Sequence, residues 1–154
     1  MTERKKQGLR FVEKYASQTK ALAHIQEQMF LNASLQRTAK DTLEETDLRY
    51  VALCRAGREL VFQRACASGI LTLIEDTIRR LPFPERRVLE RYFLRGDRRG
   101  AAEDLMEELE FEKTHIYRLR DRGLEALGEI VLTEQLECLT QMVEQPGLQQ
   151  NTDH

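Results

Sequence analysis

The sequence predicts an all-α fold, with a long N-terminal helical hairpin of coiled-coil character followed by a four-helix domain. Apolar residues recur at steps of three and four through most of the 154 residues, which is the spacing of one face of a helix. Only three prolines and eight glycines interrupt this pattern. A chain of this length can bury one core, or one small domain with an extension.

The N-terminal region divides into a short polar segment and a long helix. Residues 1–8 have no periodicity, and we expect them to be disordered. Beyond them the pattern is helical, and Tyr15, Leu22 and Met29 form a row at seven-residue spacing. This row fits two arrangements: a helix that packs on its neighbour in the same chain, or the seam of a homodimer formed through residues 9–66.

A second helix is predicted to follow a lapse in the pattern at residues 35–42, with Asp41 or Thr42 as its N-cap. The best candidate for a later break is the Ala-Ser-Gly sequence at residues 67–69, because a glycine inside a helix costs about 1 kcal/mol relative to alanine. The predicted division is therefore a helical extension for oligomerisation or partner binding over residues 9–68, a domain over residues 69–132, and a further helix with a polar tail over residues 133–154.

Helix boundaries are best defined around the sequence LPFP, residues 81–84. An apolar stripe that starts at Ile70 predicts a helix ending near Arg80, because a residue that precedes proline is pushed out of the α region. Pro84 suits the first position of the next helix. A loop with two glycines, residues 96–100, follows that helix.

Residues 105–127 predict two helices joined by a very short turn. At about 100° per residue, Ile116, Leu119 and Leu127 of the second helix lie on one arc, as a core requires. Arg120 falls on the apolar side, so its methylenes must carry the guanidinium out to solvent. The opposite arc has basic or hydrogen-bonding groups at its N-terminal end. This is the layout of a helix-turn-helix DNA reader, and it is also that of an ordinary amphipathic pair with a solvated charged face.

The charge of the chain is segregated along the sequence, although the formal net charge is -2. Residues 85–99 contain six arginines and three carboxylates, residues 103–112 contain six carboxylates and no base, and residues 113–122 contain four bases and one carboxylate. Two basic segments on either side of an acidic helix can bind the phosphates of a nucleic acid. The non-specific affinity of such an arrangement is modest and strongly salt-sensitive.

Composition argues against several classes of protein. No apolar run approaches the roughly 20 residues of a membrane span, and no signal-peptide hydrophobic segment follows the basic N-terminus, so we expect a cytoplasmic protein without membrane contact. The three cysteines and three histidines lack the spacing of a metal site. No residue set forms a catalytic centre or a phosphate-binding loop. We therefore expect no enzymatic activity, no metal and no cofactor.

Two sequence runs, LPFPERRVLERYFLRG and AEDLMEELEFEKTHIYRLRDRGLEAL, follow one another between residues 70 and 131. In content, order and relation they resemble the C-terminal, promoter-reading domain of bacterial sigma factors. The region is similar also to the small sigma-like regulators of phages and mobile elements, which join such a domain to a helical N-terminal extension. The resemblance implies a scaffold helix at Leu105–Leu109 and a recognition helix at Lys113–Leu127.

The resemblance also implies partners and contact residues. Double-stranded DNA is the first partner, and RNA polymerase is a second, because domains of this kind contact it. The predicted DNA-contact residues, near base edges or phosphates, are Lys113, Thr114, His115, Tyr117, Arg118, Arg122 and Arg99.

Three features depart from the family pattern. Met106 stands where a small alanine usually lets the two helices pack closely. Glu110 stands where a turn glycine is common, which predicts a non-glycine residue at positive φ. The loop before Leu105 is longer than usual.

Two functions follow from these observations. The first is a sigma-like DNA-binding transcriptional regulator that reads a promoter element with the helix at residues 112–127. The alternative is a protein-binding helical module, in which the acidic helix at residues 103–112 docks on RNA polymerase or another regulator without direct DNA contact.

Overall fold

The computed structural model describes residues 1–144, which are almost entirely helical and contain no β-strand. The prediction of an all-α fold is confirmed. The predicted polar tail lies outside the described residues. The helices are α1, Glu3–Thr42; α2, Leu48–Arg79; α3, Phe83–Leu89, continued by a π-helical segment, Glu90–Leu94; α4, Ala101–Leu109; α5, Lys113–Thr133; and α6, Leu136–Glu144.

Helix α1 begins much earlier than predicted. Residues 1–8, which we expected to be disordered, are helical from Glu3 onward, and the Thr2 hydroxyl caps the helix by accepting a hydrogen bond from the Lys5 N–H at 3.2 Å. Gly8 is buried because the first turns of α1 pack on α5. The prediction was wrong because this segment packs on α5, which lies more than 100 residues later in the sequence. The periodicity of nearby residues carries no information about so distant a contact.

The turn of the α1–α2 hairpin lies later than predicted. Helix α1 does not lapse at residues 35–42 but continues to Thr42, and Asp47 caps α2 in place of Asp41 or Thr42. The Asp47 carboxylate accepts a hydrogen bond from the Arg49 N–H at 2.8 Å. Hydrogen bonds from the Arg49 side chain and backbone lower the pKa of Asp47 to about 2.

A polar layer between the two helices explains why α1 continues past the lapse in its apolar pattern. The Asn32 amide donates to the Leu53 carbonyl at 3.0 Å and accepts from Gln36 Nε2 at 2.5 Å. Gly57 faces both amides, and a Cβ at that position would lie 2.6 Å from Asn32 Oδ1. Side chains that hydrogen-bond with each other therefore fill this part of the interface between α1 and α2. The spacing of apolar residues does not reveal such a polar contact.

Helix α2 passes residues 67–69 without the predicted break. Ala67 and Ile70 are buried, whereas Gly69 is exposed with open space around the position of its missing Cβ. Packing of the buried side chains outweighs the helix propensity cost of about 1 kcal/mol for the glycine. The helix ends at Arg79, with Arg80 as its C-cap, as the LPFP sequence predicts.

One hydrophobic core joins the base of the hairpin to the remaining helices. Phe11 and Val12 of α1 are almost fully buried in it. The Tyr15 hydroxyl donates to Glu75 at 2.7 Å at its edge, and burial, followed by this bond, raises the pKa of Tyr15 to about 12. The other buried side chains of this core include Ile70, Ile74 and Ile78 of α2, Val88 and Leu89 of α3, Leu105 of α4, Ile116, Leu119, Leu124, Leu127 and Val131 of α5, and Leu136 of α6.

Beyond this core the hairpin extends as a pair of helices. Among residues 13–66, all of them described, Ala39 alone is buried. Residues 16–42 of α1 span about 40 Å at 1.5 Å per residue. The hairpin is thus a two-helix arm whose remaining surface is open.

Candidate nucleic-acid interface

Helices α4 and α5 are joined by a tight turn at residues 110–112. Glu110 has φ 58° and ψ 37°, so the positive φ predicted for this residue is confirmed. Leu105 of α4 and Ile116 of α5 are fully buried on either side of the turn. Met106 is half-buried at the rim of the core, where a side chain larger than alanine finds room.

The inward face of α5 agrees with the prediction. Ile116, Leu119 and Leu127 are at most 2% exposed. Gly123 lies against Leu89 of α3, where a Cβ would come within 3.1 Å of the Leu89 Cγ. The small residue lets α3 approach α5 closely and so fixes the rotation of α5 about its axis.

The outward face of the first turns of α5 carries four of the predicted contact residues. Lys113, Thr114, Tyr117 and Arg118 are all exposed. Lys113 Nζ lies 3.5 Å from Glu103 of α4, and the Tyr117 phenol and Glu103 together raise the pKa of Lys113. Arg118 forms no ion pair with any side chain of residues 1–144. These four groups converge on one solvent-facing patch, the α5 N-terminal patch.

Arg120 supports this patch from the core side, which the sequence alone did not reveal. Its guanidinium lies 5.0 Å from the centre of the Tyr117 ring and 5.3 Å from that of the buried Tyr92. Its side chain is 33% exposed, and the guanidinium contacts both rings at the rim of the core. The two cation–π contacts brace Tyr117 against the body of the protein.

His115 lies beside the patch and is half-buried. Its ring meets the ring of Phe111 edge-on, with the centres 4.4 Å apart. Phe111 belongs to the turn between the helices and is 38% exposed. The contact ties the turn to the first turn of α5.

The two other predicted contact residues are paired with carboxylates that lie outside the patch. Arg122 Nη1 is 3.7 Å from Glu85 Oε1 of α3, further along α5. Arg99 lies in the loop before α4. Its backbone N–H and its Nε–H both donate to the Asp97 carboxylate, at 2.9 and 3.2 Å. These bonds lower the pKa of Asp97. The Arg99 side chain itself is 92% exposed.

Not all of the arginines in residues 85–99 are free to bind phosphates. Arg87 forms a two-pronged ion pair with Glu108 of α4, at 2.8 and 2.9 Å. Arg91 is only 7% exposed and binds Asp104 at 2.9 Å together with the backbone carbonyl oxygens of Asp97 and Arg99. Two of the six arginines therefore hold α4 and its preceding loop in place.

The N-terminus of α1 flanks the C-terminal half of α5. Lys5 Nζ lies 2.9 Å from Asp121, and Arg4 Nε lies 2.8 Å from Glu129. The Thr2 hydroxyl donates to Glu125 at 2.9 Å. These contacts neutralise the acidic side of α5 and leave the α5 N-terminal patch open to solvent.

Residues 1–144 contain neither a cluster of metal-ligating side chains nor a membrane-spanning helix. No group of three or more histidine, cysteine, aspartate or glutamate side chains is arranged to hold a metal ion in this part of the chain. None of its helices combines the length and apolar character needed to cross a membrane.

Comparisons of the chain with protein-family models, with curated proteins and with solved structures gave no match. The resemblance to the promoter-reading domain of sigma factors therefore stays a prediction from residues 70–131.

Proposed function

We propose that the protein is a sigma-like transcriptional regulator that binds double-stranded DNA in the bacterial cytoplasm and reads a promoter element with α5. The observation that carries this proposal is the α5 N-terminal patch. Two basic and two hydrogen-bonding side chains occupy the outward face of the helix end that enters the major groove in helix-turn-helix proteins.

The surroundings of the patch support the same function. Arg118 has no competing ion pair within residues 1–144 and can donate two hydrogen bonds to the edge of a guanine. The Lys113–Glu103 pair joins two exposed side chains, 51% and 64% exposed, and solvent screens such pairs strongly, so a phosphate can displace the carboxylate. Tyr117 is held in place by Arg120 and needs little ordering on binding.

The test is fluorescence anisotropy on DNA selected from a random pool, measured over a salt series. The double variant Lys113→Ala/Arg118→Ala is expected to weaken binding of the selected sequence by a factor of 30 or more, since each good base contact is worth roughly 1–3 kcal/mol. Selection that enriches no sequence, or a double variant that binds as tightly as the wild type, contradicts the proposal.

A matched control is Arg79→Ala. Arg79 is as exposed as the patch residues and lies at the end of α2, where it pairs with Asp76 at 2.7 Å. The variant removes one positive charge near the C-terminal end of α5, where the neighbouring Arg80 binds Glu134, and leaves the α5 N-terminal patch unchanged. We expect its selected-site affinity and its salt dependence to match those of the wild type.

The second candidate function is docking on RNA polymerase or another regulator through α4 and the following turn. It is favoured by the exposed carboxylates Glu107, Glu110 and Glu112, next to the exposed ring of Phe111. The test is retention of the wild type and of Glu107→Lys/Glu112→Lys on purified RNA polymerase. Protein docking is favoured over DNA reading if the polymerase retains the wild type but not the variant and the wild type binds no DNA.

A further inference from the structure

A cavity of about 290 Å³ opens where α1 crosses the π-helical segment and α5. We call it the crossing cavity. Its apolar walls are Leu9 of α1, Leu124 of α5 and the rings of Tyr92 and Phe93. Pockets that bind small molecules measure roughly 300–1,000 Å³. The crossing cavity is at the small end of this range, so its size suits a molecule of one or two rings.

The aromatic wall of the crossing cavity comes from an irregular turn. Tyr92 and Phe93 belong to the π-helical segment, Glu90–Leu94, and their ring centres lie 6.2 Å apart. Burial raises the pKa of the Tyr92 phenol, so this group is uncharged at neutral pH. Short π-helical segments are rare and occur frequently at functional sites. The segment is therefore a second indication, independent of the cavity volume, that this part of the fold binds a ligand.

Three cations and two carboxylates also line the crossing cavity, which gives the lining a net charge of +1. Lys5 and Asp121 neutralise each other, because Lys5 Nζ lies 2.9 Å from the carboxylate. Arg98 Nη2 lies 4.0 Å from Glu13, and Arg120 Nε lies 3.7 Å from Asp121. Neither guanidinium is thus within hydrogen-bond distance of a carboxylate in residues 1–144. Their N–H groups can bind a carboxylate supplied from solution.

We propose that the crossing cavity is an effector site for a small aromatic carboxylate, whose acid group binds the guanidinium groups of Arg98 and Arg120. A planar guanidinium presents paired N–H donors that match the two oxygens of a carboxylate. The single negative charge of the ligand balances the net charge of the lining. Its ring packs on the apolar walls, Leu9 and Leu124, which a purely polar anion such as phosphate leaves uncovered.

Arg120 connects the crossing cavity to the α5 N-terminal patch. Its guanidinium lies 5.3 Å from the centre of the Tyr92 ring, in the cavity wall, and 5.0 Å from that of Tyr117, in the patch. A bound carboxylate offsets the positive charge that attracts the Tyr117 ring, and it adds a negative charge near the surface that faces DNA phosphates. Both effects lower DNA affinity. This consequence rests on the proposed function, whereas binding of the carboxylate does not.

The first test is an NMR titration of the full chain with 2-naphthoate in the absence of DNA. We expect one site per chain with a dissociation constant below about 1 mM. 2-Naphthamide has the same rings without the charge, and inorganic phosphate has charge without rings, so each should bind at least about 10-fold more weakly. No binding of 2-naphthoate at millimolar concentration, or equal binding of all three compounds, overturns the proposal.

Variants of the loop after the π-helical segment locate the site. Arg98→Gln should raise the dissociation constant of 2-naphthoate at least about 10-fold, because it removes one of the two groups that bind the acid. Arg95→Gln is the matched control. Arg95 is an exposed arginine of the same loop that does not line the cavity, and its variant should bind 2-naphthoate like the wild type.

Glu13→Gln should produce a gain of affinity, which a loss of folded structure cannot imitate. Glu13 is the carboxylate paired with Arg98, and its side chain is 49% exposed. The variant removes a competitor for the guanidinium and makes the lining more positive, so it should bind 2-naphthoate about 3-fold more tightly. If Arg98→Gln and Glu13→Gln both bind 2-naphthoate as the wild type does, the assignment of the acid group is overturned.

The effect on DNA is measured by fluorescence anisotropy of the selected sequence with 2-naphthoate at saturation, against sodium chloride of equal concentration. The dissociation constant of the DNA complex should rise at least about 5-fold, the lower end of ordinary allosteric coupling. Unchanged DNA affinity overturns the regulatory part of the proposal. Failure of the proposed function is distinguishable: a chain that selects no DNA sequence but binds 2-naphthoate through Arg98 contradicts the DNA reader and supports the cavity site.

Discussion

At the scale of single residues, Glu110 controls how α4 leads into α5. Its φ of 58° lies in the left-handed region, where an L-residue with a Cβ is disfavoured by about 1–2 kcal/mol. The residue ends α4 and turns the chain within three positions, so that α5 starts with its first turns facing solvent. The resemblance to a family that commonly has glycine at this turn is what predicted the strain.

Glu110→Gly is expected to raise the free energy of unfolding by roughly 0.5–1 kcal/mol, because glycine adopts the left-handed conformation without a steric penalty. Urea denaturation followed by circular dichroism measures the change. Glu107→Gly is the matched control within α4 and should lower the same free energy by about 1 kcal/mol. Equal losses in both variants would contradict the assignment of strain to Glu110.

At the scale of elements, the crossing of α1 over α5 depends on two glycines. A Cβ at Gly8 would overlap the Leu124 carbonyl oxygen, and a Cβ at Gly128 would overlap the Arg4 carbonyl oxygen. The obstructing atoms belong to the backbone, so no side-chain rotation can relieve them. Backbone contact at this crossing brings Lys5 to Asp121 and anchors the N-terminus of α1 beside the proposed recognition helix.

Gly128→Ala should therefore lower the free energy of unfolding by about 2 kcal/mol or more, because the two helices must separate to admit the methyl group. Thermal unfolding in parallel with urea titration checks the size of the effect. Gly69→Ala offers the comparison: it places the same methyl group in open space within α2 and should stabilise by about 0.5–1 kcal/mol. A neutral Gly128→Ala variant would mean that the helices do not cross this closely.

At the scale of the whole molecule, one core ties the two ends of the chain together. Phe11 and Val12 pack with Ile74 of α2 and Leu124 of α5, so the hairpin and the α3–α5 region share their buried surface. The boundary drawn at residue 68 from the glycine and the change of pattern therefore falls inside a continuous helix and beside a common core. Unfolding of either part exposes apolar surface of the other.

Deletion of residues 2–8 is expected to lower the free energy of unfolding by roughly 2 kcal/mol or more, since it removes the glycine crossing and the contacts of Lys5 and Arg4. The wild type should unfold in a single transition seen equally by far-ultraviolet circular dichroism and by tyrosine fluorescence. A deletion that leaves the urea midpoint unchanged would mean that the segment contributes nothing to the fold.

Local spacing in the sequence predicted the helical content, the end of α2 near Arg80 and the buried face of α5, because each of these depends on residues within about one helical turn. The positive φ of Glu110 was predicted in another way, from the resemblance to a family that commonly has glycine at this position. Only the tertiary structure decided that residues 1–8 are ordered, that Gly69 does not break α2, and that Arg91 is held inside the protein and removed from the basic surface. These outcomes depend on partners distant in the sequence, whose packing and ion pairing outweigh local preference.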